Sequence, residues 1–158
     1  MDYIIREMKA EEYPQLRGFL YEAIFQREGE AAAPKNIVEE PALQQYIKDF
    51  GMWKDDICLC ADAAGKLVGA VWAREIDGYG NTGRGIPELA LSLYPQYRGQ
   101  GIGTQLLRQM LCLLRDKEYR KVSLAVQKDN YALRMYQKAG FQIVSENSEE
   151  YIMEYRFL

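Results

Sequence analysis

The segment Tyr97–Leu107, YRGQGIGTQLL, places Gly99, Gly101 and Gly103 at alternate positions directly before a strongly apolar helical pattern. Glycine at a helix start costs conformational entropy unless the backbone needs its freedom or a neighbour needs the room. Upstream, Glu88–Tyr94 reads as a strand stopped by Pro95. Downstream, Gly101–Lys117 sets Ile102, Leu106, Leu107, Met110, Leu111 and Leu114 along one side of a helix. A strand, a glycine turn and a helix in that order form a place for an anion. The first helical N–H groups lack intrahelical partners, the helix dipole is positive there, and missing β-carbons let a phosphate approach. Arg98 adds positive charge beside the turn. The common nucleotide loops do not fit. The third glycine of G-x-G-x-x-G is replaced by Thr104, and no Gly-Lys-Ser/Thr tripeptide occurs.

Outward from this segment, Tyr3–Glu7 reads as a first strand. Lys9–Gln26 spaces Tyr13, Leu16, Phe19, Leu20, Ala23 and Ile24 three and four apart, which predicts an amphipathic helix. Pro14 fits only a first turn, so the helix should start near Glu11–Tyr13. Arg27–Glu40 is expected to be a loop, with Arg27–Glu30 a solvated polar run. Pro41 opens a second helix through Gln45, Tyr46 and Phe50, closed by Gly51. Asp56–Asp62 and Lys66–Arg74 flank Ala63–Ala64–Gly65 as a hairpin. Asp77–Gly85, holding Gly78, Gly80, Gly83 and Gly85, is expected to be a mobile loop. Lys121–Gln127 is a strand, Asn130–Ala139 a helix capped by Gly140, and Phe141–Val144 with Tyr151–Tyr155 a terminal hairpin. The order β-α-α-β-β-β-α-β-α-β-β predicts a mixed-sheet α/β fold, with residues 1–158 forming one domain without repeats.

A chain of 158 residues can bury a sizeable core. A net charge of −3 lacks the basic surplus of polyanion binders, so no nucleic-acid partner is expected, and a cationic substrate is weakly favoured. No apolar run approaches the roughly 20 residues that span a bilayer, and the first residues lack a signal-peptide pattern, so a cytoplasmic location without membrane contact is expected. The sequence holds no histidine. The commonest general base and metal ligand are therefore missing, Ser/His/Asp and Cys/His catalysis is excluded, and no metal is expected. Cys58, Cys60 and Cys112 read as buried or half-buried thiols, the first two sharing a strand face.

Arg98-x-x-Gly101-x-Gly103 resembles the acetyl-CoA signature of the GNAT acyltransferases, Arg/Gln-x-x-Gly-x-Gly/Ala. Leu91–Tyr97 is similar to that family's approach strand, and Asn130–Phe141, NYALRMYQKAGF, to its second cofactor segment. The resemblance implies a mixed, mostly antiparallel twisted sheet of about seven strands flanked by about four helices. It also implies acetyl-CoA as cosubstrate and a primary amine as acceptor, in a monomer or homodimer.

By that resemblance, the amides of Arg98, Gly99, Gln100, Gly101, Ile102, Gly103 and Thr104 hold the pyrophosphate. The strand of Leu91 and Leu93 carries a bulge, splays from strand 121–127 and takes the pantetheine arm in the cleft. An amide near Leu93 binds the thioester carbonyl. The implied reaction is direct attack of a neutral amine on the thioester, with Tyr136 as general acid toward sulfur and Asn130 bonding the cofactor arm. Asn130 would equally serve as a helix cap. Glu88 is the implied candidate base, with Glu75, Asp77 or a water relay as weaker options. Phe19, Tyr21, Glu22, Phe25, Tyr46, Phe50, Trp53, Asp77 and Tyr79 fall in the segments from which the family builds its acceptor site. A non-catalytic acyl-CoA-binding module is the alternative reading, and the acceptor's identity stays open.

Overall fold

Apolar runs separated by turns form seven strands of one sheet in the computed structural model, which describes residues 1–25 and 29–158. The elements are β1 (Ile4–Glu7), α1 (Leu16–Ala23), α2 (Pro41–Gln44), β2 (Ile57–Ala63), β3 (Lys66–Arg74), β4 (Glu88–Leu93), α3 (Ile102–Asp116), β5 (Lys121–Gln127), α4 (Ala132–Ala139), β6 (Gln142–Glu146) and β7 (Glu150–Arg156). Strand order is β1-β2-β3-β4-β5-β7-β6. Every neighbouring pair is antiparallel except β4 and β5, which are parallel and meet in register at Glu88 and Ser123 alone.

Alternation along the strands feeds two cores. On one face, Leu106, Leu107, Met110 and Leu114 of α3 pack on Val68, Val71, Leu89, Val122 and Leu124, with Tyr136 and Phe141 at the α4 end. On the other, Leu16, Phe19 and Leu20 of α1 pack on Cys58, Cys60, Ala70 and Trp72, with Tyr46 and Phe50 completing the layer. Each such large side chain, taken out of water, contributes about 1.5–3 kcal/mol. Cys58 and Cys60 do share a buried face, and burial pushes both thiols up, Cys60 to about 11. Cys112 is exposed and all three are free.

The first two helices are shorter than their periodicity suggests. Ala10–Gln15 is a 3-10 turn with Pro14 inside it, and regular α-helix begins only at Leu16. Ile24 is already extended; the predicted end at Gln26 and the run Arg27–Glu28 lie outside the described residues. Within the expected loop, Lys35–Glu39 forms a second 3-10 turn. The second helix stops at Gln44 instead of running to Phe50. Its physical cause is competition for carbonyls. Arg74 Nη1 donates to Gln45 O at 3.1 Å and to Lys48 O at 2.6 Å, and Trp72 Nε1 donates to Tyr46 O at 3.1 Å. Side chains of β3 thus take acceptors that a continuing helix would use.

Arg74 is the centre of this arrangement. Its guanidinium is 1% exposed, forks onto both oxygens of Asp56 at 2.8 and 2.9 Å, and stacks 4.0 Å from the Trp53 ring centre. Burial alone would raise the Asp56 carboxyl, but the Arg74 bonds and the Trp53 and Gly51 amides win and hold it below its usual value. The pair fixes residues 45–56 against the end of β3. Removing one partner of a buried pair strands the other charge. Arg74→Met is therefore expected to lower unfolding free energy by about 3–5 kcal/mol, read from urea denaturation. A loss below ~1 kcal/mol would show that the pin is dispensable.

Candidate functional site: a split between two parallel strands

Between β4 and β5 the sheet opens. Ser123 N donates to Pro87 O at 3.0 Å, Glu88 pairs with Ser123, and beyond that apex the two parallel strands make no further register pairs. The other edge of β4 stays paired to β3 without interruption from Glu88↔Arg74 to Leu93↔Gly69. The expected bulge in this strand is absent; divergence from β5 alone opens the cleft. Tyr94 N donates to Val68 O of β3 at 3.1 Å, so the strand's alternation turns the amides of Leu93 and Leu91 toward the open side. Gly69 makes room here, since a β-carbon on it would lie 2.1 Å from Leu93 Cδ2.

At the wide end of the split lies the glycine turn, and its backbone requires glycine at two of the three positions. Gly99 (φ 77°) and Gly101 (φ 86°) occupy the left-handed region, where a side chain is strained, and open space surrounds both. Gly103 is already helical. A β-carbon there would sit 3.6 Å from Met135 Sδ and 3.7 Å from Leu91 Cδ2 and Leu93 Cδ1, ordinary contact distances, so neither backbone conformation nor packing demands glycine at this position. Gly101 is the N-cap of α3 and offers no side chain to its first turn. The leading amides of Ile102, Gly103 and Thr104 therefore point out of the helix uncapped. Gln100 Nε2 bonds back to Gln96 O at 3.3 Å. Arg98 is less free than the sequence suggests: Nε donates to Leu93 O at 3.1 Å and Nη2 reaches Glu22 Oε1 at 3.3 Å. It ties the turn to α1 and to the end of β4, with part of its charge neutralised. Beside that pair, Arg17, Gly18, Tyr21, Glu22, Lys35, Val38 and Tyr94 line an open cavity of about 250 Å³.

From the α4 side comes Tyr136, 7% exposed and set edge-on to Phe141 with ring centres 5.7 Å apart. Burial pushes its phenol up to about 12, which keeps it protonated at neutral pH. Asn130 Oδ1 accepts from Ala132 N at 2.9 Å, so its oxygen caps the start of α4.

At the narrow end, Glu88 is 2% exposed. Oε2 accepts from the Tyr46 hydroxyl at 2.6 Å and from Gly80 N at 3.1 Å, and Oε1 accepts from Gly78 N at 3.0 Å. Burial raises its carboxyl above the ordinary value despite these three donors. The loop expected to be mobile is thus held by the strand that follows it. A β-carbon on Gly78 would lie 2.6 Å from Tyr46 Oη, and one on Gly80 would lie 2.5 Å from the carbonyl carbon of Leu124. Glu88 also belongs to a polar row that the registers carry across four strands, Arg74–Glu88–Ser123–Glu154, all buried. Ser123 Oγ is buried without a hydrogen-bond partner, and Lys121 Nζ lies 3.6 Å from Glu154.

The structure sorts the remaining acceptor-side candidates. Phe19, Tyr46 and Phe50 are buried, Tyr21 and Glu22 line the cavity beside α1, Trp53 covers Arg74, and Tyr79 is 50% exposed. Asp77 accepts from Asn81 Nδ2 at 2.7 Å and Glu75 from Gly85 N at 2.6 Å, so both serve the loop itself. The Tyr46–Glu88 contact has no pattern in the sequence, because the partners lie 42 residues apart. Its one local signal is the pair Gly78-x-Gly80. No group of three metal-ligating side chains occurs among the described residues, and none of their helices is long and apolar enough to cross a membrane.

Known proteins share this fold. A PaiA N-acetyltransferase from Thermoplasma acidophilum, solved with coenzyme A, superposes with a TM-score of 0.71 at 23% identity, covering 99% of this chain and 100% of that one. A GNAT-family acetyltransferase from Streptococcus pneumoniae gives 0.70 at 21% identity over 99% and 100% of the two chains. One from Brucella melitensis, in complex with acetyl-CoA, gives 0.64 at 21% over 99% and 89%. In sequence, the chain is 35% identical over 83 residues to N-acetyltransferase family 8 member 2 of Rattus norvegicus, a match covering 52% of this chain and 37% of the rat protein. The family model described as Acetyltransferase (GNAT) family matches residues 10–141, and the chain belongs to that family.

Proposed function

We propose that this protein transfers an acetyl group from acetyl-CoA to a primary amine. The observation that carries the reading is the split itself, two parallel strands parting from one register pair and ending at an uncapped glycine turn. Its residues suit the cosubstrate. The outward amides of Gly99 to Thr104 would take the pyrophosphate, and the free edge of β4, with the Leu91 and Leu93 amides, would take the pantetheine arm as a strand takes its neighbour. Bound acetyl-CoA supplies an activated acyl carbon and a thiolate leaving group.

The chain then has three tasks. The Leu93 amide would donate to an oxygen that gains negative charge during attack. Tyr136, protonated and on the α4 side, gives a proton to the departing sulfur. Glu88, at the apex, receives the proton that the amine loses; with both oxygens engaged, it does so through an intervening water. Asn130, whose oxygen caps α4, keeps its Nδ2 for the cofactor arm.

Three outcomes test these roles. Gly101→Val should weaken acetyl-CoA binding about tenfold by calorimetry, the equivalent of one lost charge-assisted amide bond of about 1.4 kcal/mol, while the protein stays folded. Equal affinity would remove the turn from the cofactor site. Tyr136→Phe should lower kcat about 10²-fold with acetyl-CoA affinity unchanged, as thiol release across a panel of primary amines reports. A variant that turns over normally would take the phenol out of the reaction. With Glu88 as base, kcat/KM for an active amine should fall on the acid side as the carboxylate protonates, from a midpoint above the ordinary glutamate value because burial raises it. Glu88→Gln should abolish that limb; an unchanged profile would exclude the carboxylate.

A further inference from the structure

Three consecutive backbone N–H groups converge on one buried phenol–carboxylate pair. Gly78 N and Gly80 N donate to Glu88 at 3.0 and 3.1 Å, and between them Tyr79 N donates to Tyr46 Oη at 3.0 Å. The Tyr46 hydroxyl in turn donates to Glu88 Oε2 at 2.6 Å. Its own hydrogen is committed to the carboxylate and its lone pair to the loop, so one hydroxyl joins strand and loop.

Tyr46 is itself held from both ends. Its carbonyl accepts from Trp72 Nε1 at 3.1 Å, and Arg74 grips the carbonyls of Gln45 and Lys48 on either side. The two glycines leave the clasp no slack, because a β-carbon at 78 meets Tyr46 Oη and Glu88 Oε1 at 2.6 and 2.7 Å. At 80 it meets the main chain of Leu124 and Ala125 at 2.5 and 2.7 Å. What the clasp presents is Tyr79, half exposed, its ring nearly parallel to that of Tyr46 (12°, centres 6.4 Å apart).

We infer that Tyr46 is a positioning residue, and that the clasp it closes fixes Tyr79 as an aromatic wall recognising the cationic group of the acceptor beside the apex of the split. The inference rests on the amine-acetyltransferase reading for the identity of that ligand. An aromatic face with a buried carboxylate behind it attracts an alkylammonium through the ring quadrupole and the nearby negative charge. A loop that had to order itself on binding would lose part of that gain as entropy; a clasped one does not. Tyr79 thus acts as a specificity-determining side chain, and Tyr46 acts on the acceptor only through it.

The experiment has two arms that do not depend on turnover. In hydrogen exchange, the amides of Gly78, Tyr79 and Gly80 should be protected in the native protein and should exchange about tenfold faster in Tyr46→Phe, which removes only the hydroxyl. In the second arm, tetramethylammonium, an unreactive cation, is titrated at constant ionic strength. It should shift the Tyr79 ring resonances in the native protein, bind at least fivefold more weakly to Tyr46→Phe, and give no saturable binding to Tyr79→Ala. Tyr79→Phe should restore native affinity, since the ring and not the hydroxyl is used. A third arm follows phenethylamine acetylation: Tyr46→Phe and Tyr79→Ala should raise the amine KM several-fold, with kcat for Tyr79→Ala and acetyl-CoA affinity unchanged. Native exchange rates in folded Tyr46→Phe would overturn the clasp. Equal tetramethylammonium affinity in Tyr79→Ala would overturn the wall. If the first two arms succeed and no amine is acetylated, the enzymatic reading fails while the clasp stands.

Discussion

Everything at this site depends on one missing interaction. β4 and β5 are parallel neighbours that share a single register pair, Glu88 and Ser123, and then part. A sheet normally satisfies every interior strand on both edges, because unpaired backbone groups are costly when kept from water. Here the remaining edges are left for something else. The split survives because each strand is secured on its other side, β4 by six register pairs with β3 and β5 by seven with β7. Helix α3 spans the gap in the chain between them and is anchored by fully buried side chains such as Leu106, Leu107 and Met110.

Both ends of the split are then shaped by glycine, for different reasons. At the wide end, Gly99 and Gly101 supply the left-handed turns that lead into the uncapped start of α3. At the narrow end, Gly78 and Gly80 bring a loop down onto Glu88 and the main chain of β5. The same residue type supplies left-handed backbone in open space at one end and makes room for an internal carboxylate at the other. The polar row from Arg74 to Glu154 crosses the sheet at the apex, so the place where the strands part is also where charge is concentrated inside the protein.

Much of this was legible in sequence where the signal is local. The strands from β2 to β7 and helix α3 follow from alternation, helical spacing and turn residues within a few positions, and the glycine turn identified itself by Gly99-x-Gly101-x-Gly103 before a helix. Long-range competition was not legible. Nothing near Gln45 announces that Arg74, from β3, will take its carbonyl and end the helix early. The four glycines of 78–85 read as mobility because sequence shows their freedom and conceals the carboxylate that removes it. Arg98 illustrates the same limit: its charge was evident, its engagement with Leu93 O and Glu22 was not. The bulge expected in β4 was inherited from resemblance, and the uninterrupted register with β3 shows that divergence from β5 suffices.

The claim underlying the whole account is that the parted strands are a berth for an acyl-thioester arm. A crystal structure of the protein with acetyl-CoA tests it most directly. Pyrophosphate oxygens are expected within hydrogen-bonding distance of the amides of residues 99–104, and the pantetheine arm bonded along the free edge of β4 with its thioester near Leu93 and Tyr136. Acetyl-CoA lodged elsewhere, for instance in the cavity beside α1, with the β4–β5 split empty, would contradict it.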